Sequence, residues 1–321
     1  MRQFFHGLLL PFHLMRALWA DAEARRRYLR VGILQSVAIL ALALTCHGSG
    51  SKAVDSVTER YVRAPSADVA DPGDDETKAA DETETEEFQF WVALFAAMQL
   101  AQWVVIALSH DYHDVIGRDA SLLTALEPED GPMAPRIRVD SRWLRNRVRR
   151  RIRGVMVFMT GLPVIYGFTA PFPLSNSLIA VLIPLWSAYW VVVFTTAKSA
   201  HAWKDSNAGE PWFIRAWSRL TTQVPGFRWR FLQRYGLFWA NRTREVFPPS
   251  SELEKQPWAF SGLAATRMLS MIPPVSCFLR PLIPVAAAHL LVAKRAAETV
   301  EPSKASEPPA KPPDTSSASA A

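Results

Sequence analysis

Charge is missing from three long stretches of this chain. No Asp, Glu, Lys or Arg occurs in residues 31–51, 88–110 or 154–197. A bilayer core about 30 Å thick is crossed by about 20 apolar helical residues, and the lipid offers no water to an unpaired backbone group. Each stretch is long enough for one membrane-crossing helix, and the third is long enough for two. The pattern predicts a multi-pass integral membrane protein.

Cysteine and catalytic motifs are also scarce. The chain has 2 cysteines, Cys46 and Cys277, in separate apolar segments, so it lacks the paired spacing of zinc and redox sites. No glycine-rich phosphate loop, HExxH, CxxC or GxSxG sequence occurs, so we expect neither an enzyme nor a cofactor. His110, His113 and Asp114 could share one helical face. A polar cap on a helix leaving the bilayer explains them better than a metal site does.

The charges that are present predict the orientation of the chain. Residues 52–87 are rich in acidic side chains and poor in large apolar ones, which predicts a disordered loop. Residues 109–153 are rich in arginine. Because arginine and lysine accumulate on the cytoplasmic side, we expect this basic segment and both termini inside and the acidic loop outside. The arginines expected to contact anionic lipid headgroups are Arg145, Arg149, Arg150 and Arg153. The apolar stripe between them argues against nucleic acid as a partner.

Two arms of 12 and 13 residues, 268–279 and 281–293, lie on either side of Arg280. Each reaches only about 18–20 Å at about 1.5 Å per residue, which is too short to cross. We therefore expect a re-entrant hairpin turning at Arg280, with a single tilted span as the alternative. Arg280, Gln99, Gln102 and Ser276 are the candidate lining of a substrate pathway. For the glutamines, hydrogen bonding between helices is the competing explanation.

These patterns predict an all-α integral membrane protein. It would have two long transmembrane helices, helical hairpins that cross fully or partly, and amphipathic helices at the interface. The expected segments are an interfacial helix (1–30), a first span (31–51), the acidic loop (52–87), a second span (88–108), the basic segment (109–153), a membrane hairpin (154–197), cytoplasmic amphipathic helices rich in Trp and Arg (198–267), the re-entrant hairpin (268–293) and a disordered tail (294–321).

The order of these pieces resembles the CysZ-type sulfate permeases and the related etoposide-induced membrane proteins. The likeness is strongest at residues 260–291, FSGLAATRMLSMIPPVSCFLRPLIPVAAAHLL, where Ile272, Pro273, Pro284, Val285 and Ala288 match an Ile-Pro turn, a second proline and an Ala-rich finish. Weaker likeness covers residues 5–44, the second span with the segment after it, and 144–197. The resemblance implies hairpins that enter the membrane partway, a bacterial inner membrane and passage of an anion such as sulfate.

Two differences from the family's sequence pattern, and the negative charge of the acidic loop, argue against sulfate as the substrate. The family's Pro, Asn and Gly cluster is replaced by residues 109–113, SHDYH, and an Asn after the Ile-Pro turn is replaced by Ser276. The acidic loop would repel a divalent anion. The first hypothesis is therefore a permease or channel for a small solute. The alternative is a non-transporting scaffold that binds lipid or partner proteins through its basic face. The expected partners are the bilayer with its anionic headgroups, a small anion and a second copy of the chain.

Overall fold

Helices account for the regular structure in the described part of the chain, and 82% of the described residues are helical. The computed structural model describes residues 1–62, 75–138, 140–204 and 208–305, with no side chains described at 46–89 or from 295 onward. The helices are α1 Arg2–Ala20, α2 Ala22–Val62, α3 Asp75–Leu108, α4 His110–Leu123, α5 Ser141–Thr169, α6 Ser175–Thr196, α7 Trp212–Gln223, α8 Arg230–Thr243, α9 Phe247–Lys255, α10 Pro257–Leu269, α11 Pro273–Leu279 and α12 Leu282–Ala305, with short 3₁₀ helices at Ala200–Trp203 and Arg244–Val246.

Four helices of the described residues are long and apolar enough to cross a membrane: Ala22–Thr45 in α2, Phe90–Leu108 in α3, α5 and α6. The prediction of a helical protein with membrane-spanning segments is confirmed at that level. At most a third of the most apolar part of each is buried inside the protein. Large apolar side chains that face outward are a liability in water and are ordinary against lipid.

The first two candidate spans form an antiparallel pair. Gln35 Nε2 on α2 donates to Ser109 Oγ on α3 at 2.7 Å. Ile39 and Ala43, later on α2, pack in one small core with Ala101, earlier on α3. The sequence predicted an end to the first helix near residue 51, but α2 continues to Val62. Glycine lowers helix stability by about 1 kcal/mol and does not forbid a helix, which is why the glycines near its end do not stop it.

Helices cover both ends of the predicted acidic loop, because α2 ends at Val62 and α3 begins at Asp75. The remainder of that predicted disordered segment, residues 63–74, lies outside the described residues. The same applies to 306–321 in the predicted tail. There α12 extends the helix to Ala305, beyond the predicted boundary at residue 294.

The stretch 154–197 corresponds to α6 and the second half of α5, joined by a short turn at 170–174. Helix α5 begins at Ser141, so the basic run predicted as part of a separate segment is continuous with the hairpin. Gly161 makes the close packing possible, because a Cβ there would lie 2.4 Å from the Trp186 ring. The Trp186 indole N–H then donates to Phe158 O at 3.0 Å. Each helix is long enough to cross a bilayer fully.

The structure corrects the turn that was predicted at Arg280. The chain bends by only 45° between α11 and α12 and does not fold back there. The tip lies instead at 270–272, between α10 and α11, where Met271 O accepts a hydrogen bond from Gln99 Nε2 at 2.7 Å. Pro273 and Pro274 lack the amide donors needed to continue α10, whereas a helix can restart directly after Pro281.

Helices α7 and α8 form a further hairpin packed along α5 and α6. Phe213 at the start of α7 contacts Trp186 and Trp190, and Phe168 near the far end of α5 contacts Trp217. Tyr235 of α8 donates to the backbone of Thr160 on α5. The segment 198–267 was predicted to form cytoplasmic amphipathic helices that rest on the inner membrane surface, a location that stays a prediction. Its helices are amphipathic, and a large aromatic cluster ties α7 and α8 to the α5–α6 hairpin.

Candidate functional site

A cavity of about 650 Å³ lies among α3, α4, the basic half of α5, the end of α6 and the α10–α12 segment. Gln99 and Gln102 line its α3 side, and Gly117 and Ser121 line its α4 side. Gln99 lies midway along the apolar part of α3. The cavity therefore runs from the middle of a candidate span to the helix that follows it.

Hydrogen bonds fasten the 270–272 tip to α3 at one end of this cavity. Gln102 Nε2 donates to Ser276 Oγ at 2.7 Å, and Ser276 Oγ donates to Pro273 O at 2.7 Å. Gln99, Gln102 and Arg280 line the cavity, and their role in a substrate pathway stays a prediction. Ser276 is fully buried and does not line the cavity; it positions Gln102. The glutamines join helices through these hydrogen bonds, as the competing explanation predicted, and they also line the cavity.

Basic side chains dominate the charge of the cavity. Three come from α5, where Arg147, Arg150 and Arg151 share one face through the spacing of three and four residues. Lys198 follows α6, and Arg267 lies on α10, where its Nη1 donates to Thr195 Oγ1 at 2.9 Å and Val191 O at 3.4 Å. The basic residues lining the cavity are Arg118, Arg147, Arg150, Arg151, Lys198, Arg267 and Arg280.

Tryptophan rings hold two of these arginines without using their N–H groups. The Arg151 guanidinium carbon lies 3.5 Å from the centroid of the Trp103 ring. The Arg147 guanidinium carbon lies 5.1 Å from the Trp143 ring. A cation–π contact engages the face of the guanidinium and leaves its planar fork of donors available. These two side chains are thus held while their donors remain free for an oxyanion.

The acidic residues of the cavity do not neutralise this charge. Among the described residues, Asp114, Glu129 and Asp130 line it, against seven basic residues, an excess of four positive charges. Glu129 is engaged elsewhere, accepting hydrogen bonds from Ser199 Oγ and from the backbone N–H of Ala200 at 2.8 Å. Within the described residues, none of the seven basic side chains forms an ion pair.

The surroundings shift the protonation of two cavity groups. The enclosing protein, and then the like charges of Arg267, Arg147, Arg150 and Arg151, lower the pKa of Lys198 to about 7. Its side chain still reaches solvent, so this shielding is partial. Burial raises the pKa of Asp114 to about 6, with a further contribution from Asp130. Near neutral pH both groups are close to gaining or losing a proton.

The histidines near the cavity are held by polar partners. His113 Nε2 lies 2.9 Å from Gln35 Oε1, and since a carbonyl oxygen only accepts, this nitrogen carries the proton. Burial, followed by the charge of Arg147, lowers the pKa of His113 to about 4. His110 stacks on Trp143 and lies 3.0 Å from Asp111 Oδ1. Among the described residues no group of three or more His, Cys, Asp and Glu could hold a metal ion.

The four arginines assigned to lipid contact have different surroundings. Arg145 and Arg149 are exposed and lie outside the cavity lining. Arg150 lines the cavity, and Arg153 pairs with Glu245 at 2.6 Å. Contact with lipid stays a prediction for all four.

Sequence reasoning missed most of the cationic cavity. Arg147 and Arg151 were part of the basic run, but only their spacing of four could have shown that they share a face with Arg150. Lys198 is the first charge after the 154–197 stretch, a position that signals a helix end and not a cavity. Arg267 comes from a segment more than 60 residues further along and has no local signal.

Comparison with known proteins finds no matching family model, no similar curated protein and no similar solved structure. The resemblance to CysZ-type permeases therefore stays a prediction.

Proposed function

We propose that this chain is an integral membrane protein that passes small anions through the cationic cavity, as a permease or channel. The observation that carries the proposal is the set of seven basic side chains around one cavity, none ion-paired within the described residues. Gathering unpaired like charges is unfavourable by itself, so a compensating anion gives the arrangement a physical reason.

The proposed topology places both termini and the basic 109–153 segment in the cytoplasm of a bacterium, with α2 and α3 crossing its inner membrane. The 270–272 tip meets α3 about halfway along its apolar part, at Gln99. A re-entrant element would reach that depth from the cytoplasmic side. The cavity would then extend from the middle of the bilayer toward the cytoplasm. An anion in the cavity would have only the outer half of the bilayer left to cross.

Anion flux into proteoliposomes tests the proposal. The variant Arg147→Gln/Arg151→Gln removes two cavity charges, and Arg145→Gln/Arg149→Gln removes two exposed charges from the same helix. A lost hydrogen bond to a charged group costs about 1.5–3 kcal/mol, or about tenfold or more in affinity. We expect sulfate or chloride uptake by the natural protein, uptake reduced at least about tenfold in the first variant and nearly unchanged uptake in the second.

Equal uptake by both variants, or none by the natural protein, would contradict the proposal. The alternative function is a non-transporting scaffold, which the exposed side chains Arg145, Arg149, Trp229 and Phe231 favour. A scaffold of that kind would bind anionic vesicles and show no selective flux. Its vesicle binding would weaken in Arg145→Gln/Arg149→Gln. If the protein is a permease or channel, the same variant leaves anion uptake nearly unchanged.

A further inference from the structure

The charge of the cavity is larger than one small anion can balance. In the described part of the chain, seven basic and three acidic residues line it, an excess of four positive charges. A chloride ion would compensate one of these charges, and a sulfate ion would compensate two. Arg150, Arg151 and Lys198 are exposed to solvent, but Arg118, Arg147, Arg267 and Arg280 are partly buried, where an unpaired charge is unfavourable. Charge balance therefore favours a ligand with three or four negative charges.

The volume leads to the same conclusion. About 650 Å³ is within the usual range of about 300–1,000 Å³ for sites that enclose organic ligands. One water molecule takes about 30 Å³, and a single tetrahedral oxyanion occupies only a few such volumes. The cavity could hold several linked oxyanion groups together with an organic group attached to them.

The basic residues also come from separate elements. Arg147, Arg150 and Arg151 lie on α5, whereas Lys198 follows α6 and Arg267 lies on α10. Guanidinium groups match phosphoryl oxygens with paired donors, and a lysine ammonium binds phosphate as a compact charge. The α5 arginines form one set, and Lys198 with Arg267 forms a second. Each set could bind one phosphoryl group. A half-apolar lining that includes Trp203, Met268 and Ile283 could receive an attached organic body.

We propose that the preferred ligand of this cavity is a diphosphate: inorganic pyrophosphate or the diphosphate group of an organic or lipid molecule. This inference rests on the proposed function, because it uses the same cavity and names its ligand class. The α5 arginines bind one phosphoryl group, Lys198 and Arg267 bind the other, and Arg280 adds charge from the α11–α12 bend.

Calorimetry on the full chain in zwitterionic nanodiscs tests the ligand class. The probes are inorganic pyrophosphate, inorganic phosphate and sulfate at equal ionic strength, with magnesium chelated. We expect pyrophosphate to bind at least about tenfold more tightly than sulfate or phosphate, one extra charge-assisted contact being sufficient for that ratio. The variant Lys198→Met/Arg267→Gln should lose this advantage while still binding phosphate. The control Arg145→Gln/Arg149→Gln should keep it.

The outcomes separate this inference from the proposed function. Sulfate binding as tight as pyrophosphate binding would overturn the diphosphate assignment and leave an anion cavity in place. A pyrophosphate preference that survives in Lys198→Met/Arg267→Gln would place the ligand elsewhere and also overturn the assignment. If none of the three anions binds, both the diphosphate assignment and the proposed function are overturned.

A second arm distinguishes the sources of the diphosphate. Farnesyl diphosphate and inorganic pyrophosphate are compared in the same nanodiscs, with empty nanodiscs correcting for partitioning of the prenyl chain. Tighter binding of the prenyl compound assigns a lipid-linked diphosphate, and equal binding assigns the free anion. Binding of neither overturns the inference.

Discussion

Lys198 differs from the six arginines of the cavity in one chemical respect. A guanidinium keeps its proton at any ordinary pH, whereas an ammonium can release one when like charges surround it. The pKa of Lys198 is lowered to about 7 by shielding from water and by four neighbouring arginines. At the residue scale, this lysine makes the positive charge of the cavity sensitive to pH.

Sulfate binding should weaken as pH rises from about 6 to about 8. Lys198, whose pKa is about 7, loses its positive charge over this interval, while Asp114, whose pKa is about 6, gains a negative one. Both changes disfavour an anion. His113, whose pKa is lowered to about 4, stays neutral throughout. Isothermal titration at several pH values should show a decrease of about tenfold, comparable to one lost charged contact.

The variant Lys198→Arg isolates the contribution of the lysine. It keeps a positive charge across the whole interval, so most of the decrease should disappear. The part that remains belongs to Asp114 and Asp130, the cavity carboxyl groups whose pKa values are raised by burial. Asp114→Asn measures the share due to Asp114. An unchanged pH profile in Lys198→Arg would show that another group sets the dependence.

At the scale of elements, glycine decides how closely α1 and α10 approach. A Cβ at Gly262 would lie 2.0 Å from Phe4 O, and one at Gly7 would lie 1.9 Å from Ala259 O. Thr266 Oγ1 donates to Leu8 O at 2.7 Å beside these contacts. Small residues permit this backbone-to-backbone packing in membrane proteins as well as in soluble ones. The first helix is thereby attached to the segment that carries Arg267 and the 270–272 tip.

Gly262→Ala should destabilise the protein, because the new methyl group meets backbone atoms that cannot rotate away. Overpacking of this kind costs about 1–3 kcal/mol. Thermal unfolding in detergent should therefore show a clearly lower Tm. Gly167→Ala is the matched control, since nothing lies within 4 Å of its Cβ position. Alanine is the better helix former, so this control should be neutral or slightly stabilising. An equal fall in Tm for both variants would contradict the packing argument.

At the scale of the whole molecule, orientation depends on where arginine and lysine accumulate. The basic 109–153 segment and the first 30 residues are expected on the cytoplasmic side, and the 52–87 segment outside. The antiparallel pairing of α2 and α3 agrees with this, because residues 1–30 and 109–153 then adjoin the same end of the pair. The cavity adjoins that end as well.

Cysteine labelling in intact cells tests the orientation in a background from which Cys46 and Cys277 are removed. A cysteine placed at Ser66 should react with a membrane-impermeant maleimide, because the placement of arginine and lysine predicts an outward-facing acidic segment. A cysteine placed at Ser306 should react only after the cells are permeabilised. Reaction at Ser306 and not at Ser66 in intact cells would reverse the topology and place the cavity on the outer side.

Short-range patterns were sufficient for most of the elements. The charge-free stretches located α3 and the α5–α6 hairpin, because a helix in lipid must be apolar along its whole length. The patterns failed where a boundary depended on packing. At Arg280 a charge beside a proline predicted a turn, yet the chain turns at 270–272, where Gln99 of α3 binds Met271 and Gln102 binds Ser276 of the following helix.

Local composition by itself determined that this protein is helical, that it has stretches able to cross a membrane and that its basic charge lies at the ends of those stretches. Each of these properties depends on residues close together in the chain. Only the tertiary structure decided which arginines share a cavity, because Arg147, Lys198 and Arg267 come from three separate segments that meet through packing. The pKa of Lys198 depends on this packing, since arginines distant in sequence provide like charge that helps to lower the pKa.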